Sequence, residues 1–219
     1  MDTIIHLDRV TLRSGYRRLL LRDASLKVSR GERVKLAGAR SGGREGVMRL
    51  VGGLCRPEHG EVSVLGSAVH TLDDDEAAAF RREHIGCASN EPGFCPALSV
   101  LENVTLPLML LGKTGAEREQ RGVQLLKSIG LAHILYAFPS AVSEAEMRAA
   151  ALVRAFIAKP EIILLDDIYD GLEDEADRLT DVLESLCTGG ETLLLFTEKE
   201  GEGIRVDRKL FVESGTIRS

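Results

Sequence analysis

The chain alternates short apolar runs with longer segments of helical periodicity. Period-two or continuous apolar runs predict strands, which are Ile4–Val10, Ala24–Val28, Arg33–Ala37, Glu61–Leu65, Ile85–Ala88, Ile162–Leu165 and Thr192–Phe196. Spacings of three and four residues predict helices after Gly43, from Asp73, and over Val100–Leu108, Ala116–Ile129, Ser143–Ala158 and Ala176–Leu186. The last stretch, Lys209–Ile217, predicts a hairpin. Strands that alternate with helices are typical of an α/β protein with a largely parallel sheet.

Two predicted strands end in residues that suit phosphate or metal chemistry. The third strand runs into a glycine-rich turn, Gly38 to Gly43, with a helix directly after it. Backbone N–H groups at such a helix start favour an anion, but a tight strand-to-helix turn explains the same glycines. The apolar run near residue 165 ends in Asp166 and Asp167, which either cap the strand or hold a metal ion.

Composition and charge narrow the possible functions. With 44% hydrophobic and 28% charged residues, the 219-residue chain has an ordinary globular composition. A net charge of −6 gives no basic footprint for nucleic acid. The four cysteines lack metal-ligand spacing and are expected to be reduced thiols of a cytosolic protein. No signal peptide is predicted, and no apolar run approaches about 18 residues, so a membrane role requires a partner.

The order of these elements resembles the ATPase subunits of ABC transporters, over almost the whole chain from Ile4 to Ile217. The most similar branch is lipoprotein release and macrolide export, as judged from Arg82–Gly86, Leu101–Leu108 and Phe138–Ser140. The resemblance implies a P-loop NTPase-like α/β fold. In that fold a mostly parallel core carries an antiparallel N-terminal β part and a helical subdomain.

The resemblance also predicts how the chain is organised. It implies one nucleotide-binding domain over 1–219, with a core of 1–88 and 159–219 and a helical insert at about 89–158. Such subunits pair with each other and with a permease, so we expect a peripheral protein at the cytoplasmic face of a membrane. The pairing could be with a second copy or with a different ABC ATPase.

The phosphate-binding loop of the family has the form G-x-x-x-x-G-K-[ST]. Its spacing is present here from Gly38 through Gly42 to Gly43, but Arg44 stands at the lysine position and Glu45 at the hydroxyl position. Arginine keeps the charge, yet its planar fork does not suit a nest shaped for an ammonium group. A carboxylate about 4 Å from a phosphate costs roughly 4 kcal/mol per unit charge at an effective dielectric near 20.

The catalytic positions differ as well. By resemblance, Asp166 matches the magnesium-orienting carboxylate, whereas Asp167 replaces the glutamate that polarises the attacking water. Aspartate is one methylene shorter, and a base must lie within about 3 Å of its proton. Asn90 stands where the family has a glutamine, and Glu198 replaces the histidine after the last core strand. A carboxylate cannot donate to a phosphate at neutral pH.

The motif L-S-G-G-x, which in active relatives reaches the partner's phosphate, reads Val142-Ser143-Glu144-Ala145-Glu146 here. Glu144 and Ala145 replace glycines that would let the backbone approach the phosphate. Ser143 and Glu146 also form the pattern of a capping box, which accounts for the serine without a phosphate. Two further positions follow from the resemblance: Glu173 replaces an aspartate that contacts the other subunit, and Tyr16 lies near the place of an adenine-stacking ring.

These substitutions predict a degenerate cassette that does not hydrolyse ATP. The main hypothesis is a structural or regulatory subunit of an export, lipid or lipoprotein transporter, docked on its permease by a groove around Asn90–Leu101. One alternative is a slow ATPase that works with Arg44 and Asp167, and another is an interaction module without a permease. Binding of ATP and magnesium without hydrolysis stays open.

Overall fold

The computed structural model describes residues 2–15, 18–39, 43–198 and 203–218. The chain divides into two compact units. The first consists of Met1–Arg81, Gly190–Gly201 and Arg205–Ser219, and the second of Arg82–Gly189 and Glu202–Ile204. Each unit has its own buried apolar residues, so each can be described from its own strands and helices.

The first unit contains an antiparallel sheet from the N-terminal part of the chain. In it β1 (Thr3–Arg13) lies between β2 (Leu19–Ser29) and β4 (His59–Val64). β1 and β2 are longer than the predicted strands, because Leu12 and Leu21 extend the alternation of buried and exposed side chains toward the turn. The predicted antiparallel N-terminal β part is therefore confirmed.

The same unit contains the strands that carry the glycine-rich turn. β3 (Arg33–Ala37) lies between β7 (Thr192–Thr197) and β8 (Arg208–Glu213) and is parallel to both. β9 (Thr216–Arg218) pairs antiparallel with β8, which confirms the predicted hairpin. β7 is buried over Thr192–Phe196, as its continuous apolar sequence predicts.

Packing accounts for the glycines at both ends of the turn. Gly38 has a φ of 143°, and a Cβ there would lie 2.3 Å from the carbonyl oxygen of Val212. Gly43, the N-cap of α1 (Arg44–Val51), has a φ of 117°, and a Cβ there would lie 2.2 Å from the carbonyl oxygen of Leu20. Any side chain at these positions would clash with backbone, so glycine is required whether or not a phosphate binds.

The second unit combines a parallel strand pair with helices. β5 (Ile85–Ser89) pairs with β6 (Ile162–Asp166). The helices are α3 (Val100–Leu110), α4 (Gly115–Ser128), α5 (Glu144–Phe156) and α6 (Ala176–Leu186), while α2 (Asp74–His84) spans the boundary between the units. α3, α4 and α5 each begin with a complete capping box, so the Ser143–Glu146 box is confirmed.

Parallel strand pairs occur in both units and helices fill most of 89–158, so the predicted α/β class is confirmed. α5 packs tightly on β5, where a Cβ at Gly86 would lie 2.0 Å from the carbonyl oxygen of Ala155. None of the helices within the described ranges combines the length and apolar character needed to cross a membrane.

Replacement of Gly43 by alanine tests the packing of the turn. Gly43→Ala is expected to lower the free energy of unfolding by about 2–4 kcal/mol, because the new methyl group meets the Leu20 carbonyl and the φ is strained. Urea denaturation followed by circular dichroism measures this. Gly66→Ala is the control, since its φ is 79° but nothing lies within 4 Å of the added carbon; a loss of about 1 kcal/mol is expected. Equal losses for the two variants would contradict the packing account.

Candidate functional site

The glycine-rich turn of the first unit starts beside the end of β7. Ala37 and Thr197 are partners in the parallel ladder, and the Gly38 N–H donates to the Thr197 carbonyl at 3.0 Å. Glu198 follows directly, so strand pairing brings it next to the turn. A cleft of ≈ 700 Å³ borders Gly38 on the side of β8 and the turn of Ser214 and Gly215. Two predicted site residues, Tyr16 and Gly42, lie outside the described residues.

Arg44 and Glu198 form an ion pair in the first unit. The Arg44 side chain is 1% exposed, and its Nη2 lies 3.9 Å from Oε1 of Glu198, whose side chain is 59% exposed. The guanidinium is therefore inside the protein, while its carboxylate partner reaches toward solvent. The sequence singles out each residue by itself but does not predict that they meet.

Glu45, at the hydroxyl position of the loop, faces another arginine of the same helix. Its Oε1 lies 3.7 Å from Nη1 of Arg49, one turn along α1. Both side chains are partly exposed, so the pair contributes at most about 1 kcal/mol to stability. The carboxylate also lies in the first turn of α1, where the helix dipole favours a negative charge.

In the second unit, Asn90 and Asp166 lie together at the ends of neighbouring strands. The Asn90 N–H donates to the Asp166 carbonyl at 3.0 Å, and Asp166 is 6% exposed. Asp167 follows with a φ of 50°, and its carbonyl accepts from the Asp170 N–H at 3.0 Å. In the parts of the chain that the structure describes, no group of three or more acidic, histidine or cysteine side chains is placed to hold a metal ion. Asp166 as a metal ligand stays a prediction.

The segment at the L-S-G-G-x position is organised as a helix cap. The Ser143 hydroxyl donates to Glu146 Oε2 at 2.6 Å, and the Glu146 N–H donates to Ser143 Oγ at 3.4 Å. His133 Nε2 lies 2.6 Å from the other Glu146 oxygen. The Ser143 hydrogen bond, and then that of His133, lower the pKa of the Glu146 carboxyl. Ser143, at the serine position of the L-S-G-G-x motif, caps the start of α5.

Arg148 joins this cap to the loop after β6. Its side chain is 2% exposed, and Nη1 donates to the carbonyls of Ile168 at 2.9 Å and Asp170 at 3.0 Å. Nη2 donates to Glu144 Oε1 at 2.5 Å. The Glu144 carboxylate, at a predicted glycine position of the L-S-G-G-x motif, is thus paired within its own helix. Sequence reasoning missed Arg148; the signal was a charged residue beside the apolar run Ala149–Val153 in α5.

Tyr169 is a second residue that the sequence did not reveal. It is buried, its hydroxyl oxygen accepts from Thr180 Oγ1 at 3.1 Å and from the Ile204 N–H at 3.3 Å, and burial raises its pKa. Gly203 passes so close that an added Cβ would lie 2.3 Å from the ring. Tyr169 therefore anchors residues 203–204 to the loop that carries Asp167.

An open apolar groove lies on the helices of the second unit. Its volume is ≈ 580 Å³. The apolar part of its lining is Leu98, Leu101, Leu106, Met109 and Tyr136, and the charged part is Glu102, Arg118 and Glu119. Met109 and Tyr136 are 46% and 68% exposed, so part of the apolar lining is open to solvent. The groove includes the end of the predicted Asn90–Leu101 docking segment.

Comparison with known proteins establishes the family. Residues 21–169 match the family described as ABC transporter. The chain belongs to the ABC transporter family. It is 31% identical over 215 residues to an uncharacterized ABC transporter ATP-binding protein, YbbA of Escherichia coli K12, and covers 94% of that protein.

Other relatives lie in the branch that the sequence predicts. The lipoprotein-releasing system ATP-binding protein LolD of Xanthomonas oryzae pv. oryzae is 33% identical over 88% of this chain and 80% of its own length. The macrolide export ATP-binding/permease protein MacB of Photorhabdus laumondii is 30% identical over 91% of this chain but only 31% of its own length. A dimeric cassette, MJ0796 bound to ADP and phosphate, superposes with a TM-score of 0.88 at 26% identity, over 99% of this chain and 97% of that chain. The predicted cassette fold is confirmed.

Removal of the Arg148 guanidinium tests its role in joining the helix cap to the loop. Arg148→Met is expected to lower the free energy of unfolding by about 2–4 kcal/mol, because the Ile168 and Asp170 carbonyls lose their donor. Glu144→Gln, the control, should cost less than about 1 kcal/mol, because Glu144 is 66% exposed. Urea denaturation gives both values. If Glu144→Gln cost as much as Arg148→Met, the ion pair rather than the carbonyl contacts would dominate.

Proposed function

We propose that this chain is a catalytically degenerate ATP-binding-cassette subunit that serves as a structural or regulatory partner of a permease. The observation that carries the proposal is the buried Arg44 guanidinium, paired with Glu198 at 3.9 Å. In a working phosphate loop, the positive charge at this position is available to the nucleotide. Here a carboxylate of the same chain already provides the counter-charge.

The residues present do not suit a magnesium–ATP complex. Glu45 stands at the position that should offer magnesium a hydroxyl, and Glu198 adds a second carboxylate near the same turn. Two negative charges about 4 Å apart repel by roughly 4 kcal/mol at an effective dielectric near 20, a value that solvent screening reduces for exposed groups. In the second unit, Asp167 follows β6 at the position of the family's catalytic glutamate and is one methylene shorter than that residue. No catalytic step is therefore assigned.

The groove on α3 and α4 supports the permease as partner. Its lining is apolar with two carboxylates and one guanidinium, Glu102, Glu119 and Arg118, and suits an amphipathic helix that lays its apolar face in the groove and carries charged residues beside it. MacB is by name both an ATP-binding protein and a permease, and LolD belongs by name to a lipoprotein-releasing system. By analogy with these relatives, the proposal places this chain peripherally at the cytoplasmic face of a membrane, as a subunit of an export, lipid or lipoprotein transporter.

Pairing with a second cassette is part of the same proposal. The cassette MJ0796 is a dimer by description, and this chain would pair either with itself or with an active ABC ATPase. The single nucleotide-binding domain over 1–219, with its core and its insert at about 89–158, remains a prediction within this proposal.

Phosphate release from ATP tests the loss of hydrolysis. The purified chain with ATP and magnesium is expected to release phosphate at the same background rate as its Asp167→Ala variant, because no competent site is assembled. Coupled enzymatic detection of phosphate measures both. Turnover that Asp167→Ala abolishes would instead establish the slow ATPase and refute the degenerate cassette.

Membrane association tests the groove. Met109→Glu introduces a charge into an apolar contact of the groove and is therefore expected to reduce co-sedimentation with membranes of the source organism at least about tenfold. A tenfold reduction corresponds to a loss of about 1.4 kcal/mol of binding free energy. Leu54→Glu is the matched control, since Leu54 is an exposed apolar residue of the first unit. Quantitative immunoblotting of pellet and supernatant gives the ratio. A wild-type chain that never sediments would favour the interaction module without a permease.

A further inference from the structure

The loop between β5 and α3, residues 90–99, is held by side chains from two helices of the second unit. We propose that Arg154 of α5 is a positioning residue, which fixes the shape of this loop and so preforms one wall of the apolar groove before a partner binds. This inference rests on the proposed function, since it takes the groove to be the surface that docks on a permease. It goes beyond that function because Arg154 lies outside the groove lining and acts through the loop.

The end of the loop next to α3 is held by Asn103, a residue with 0% exposure. Its Oδ1 accepts from the Cys95 N–H at 2.7 Å, and its Nδ2 donates to the carbonyls of Cys95, Leu98 and Ser99, each at 3.0 Å. Displacing a buried amide from its hydrogen-bond partners costs free energy, because its polar atoms would be left unsatisfied. These contacts therefore set the path of the backbone from Cys95 to Ser99.

Arg154 holds the middle of the loop from the side of α5. Its Nη2 donates to the Pro92 carbonyl, and its guanidinium carbon lies 4.7 Å from the centre of the Phe94 ring. A cation over an aromatic ring is attracted more strongly when both groups are shielded from water. Arg154 is half-buried, and burial lowers the pKa of its guanidinium. Residues 92–94 are thus fixed by a hydrogen bond to the backbone and by a contact with a side chain.

The held loop leads directly into the groove. Leu98 and Ser99, its last two residues, line the groove together with Leu101 and Tyr136. The Leu98 carbonyl is one of the acceptors of Asn103, so the position of this groove residue depends on the loop contacts. A binding surface that is already ordered avoids the entropy cost of ordering a loop when the partner arrives. The expected contribution of Arg154 to docking is therefore preorganisation, without any contact with the partner.

Amide hydrogen exchange of the purified chain, followed by NMR, tests whether the loop has a fixed shape. The Cys95 and Leu98 amides donate to Asn103 Oδ1 and to the Cys95 carbonyl, so they are expected to exchange slowly in the wild type. Arg154→Met and Phe94→Ala should each speed the exchange of both amides at least about fivefold, because each removes the ring contact that fixes residues 92–94.

Co-sedimentation with membranes of the source organism tests whether the shape of the loop matters for docking. Arg154→Met and Phe94→Ala are each expected to lower the ratio of pelleted to soluble chain at least about threefold, because only molecules with an ordered loop are competent to bind. Arg178→Met is the matched control, since it removes an exposed guanidinium from α6 of the same unit. It should leave both exchange and sedimentation unchanged.

Three results would overturn the inference. They are rapid exchange of the Cys95 and Leu98 amides in the wild type, unchanged exchange in variants whose circular dichroism is native, and normal sedimentation of variants whose loop exchanges faster. Phe94→Ala decides the matter if Arg154→Met does not fold. Hydrogen exchange needs no permease, so a wild-type chain that never sediments would contradict the proposed function, while the exchange rates would still decide whether Arg154 fixes the loop.

Discussion

A charged guanidinium inside a protein requires acceptors or a counter-charge, because its desolvation costs far more than an ordinary side chain can offset. Arg44 and Arg148 both meet this constraint with partners from the same chain. Arg44 has a carboxylate that follows β7, and Arg148 has two carbonyls and a carboxylate. In each case the partner is a glutamate, Glu198 for Arg44 and Glu144 for Arg148.

Most of the fold could be predicted because it depends on local periodicity. The capping box of Ser143 and Glu146, the buried run of β6 and the terminal hairpin all follow from spacings of two to four residues. The predicted ends of β1 and β2 were less accurate, because charged residues such as Arg13 and Arg22 lie next to the buried leucines there. Exposed polar positions weaken an apolar signal without ending the strand.

The site was predictable as a set of positions but not as a set of contacts. Resemblance gave Arg44, Glu198 and Glu144 one at a time, and each appeared as an uncompensated change. Arg44 and its partner Glu198 lie 154 residues apart in the sequence, and Glu144 and its partner Arg148 lie one helical turn apart. The sequence alone does not show that either pair is in contact. Arg148 and Tyr169 escaped notice because their role is to hold backbone, which leaves no motif.

The glycines show that the backbone packing of such a loop can be kept independently of what the loop binds. Gly38 and Gly43 are required by the carbonyls of Val212 and Leu20, which would touch any added side chain. That requirement is independent of phosphate, so the glycine pattern by itself does not establish that the turn binds a nucleotide. A glycine-rich turn therefore indicates how closely the backbone packs, whereas the charged residues next to it indicate what it can bind. In this chain Gly38 and Gly43 are explained by backbone packing, and Arg44, directly after Gly43, is paired with Glu198.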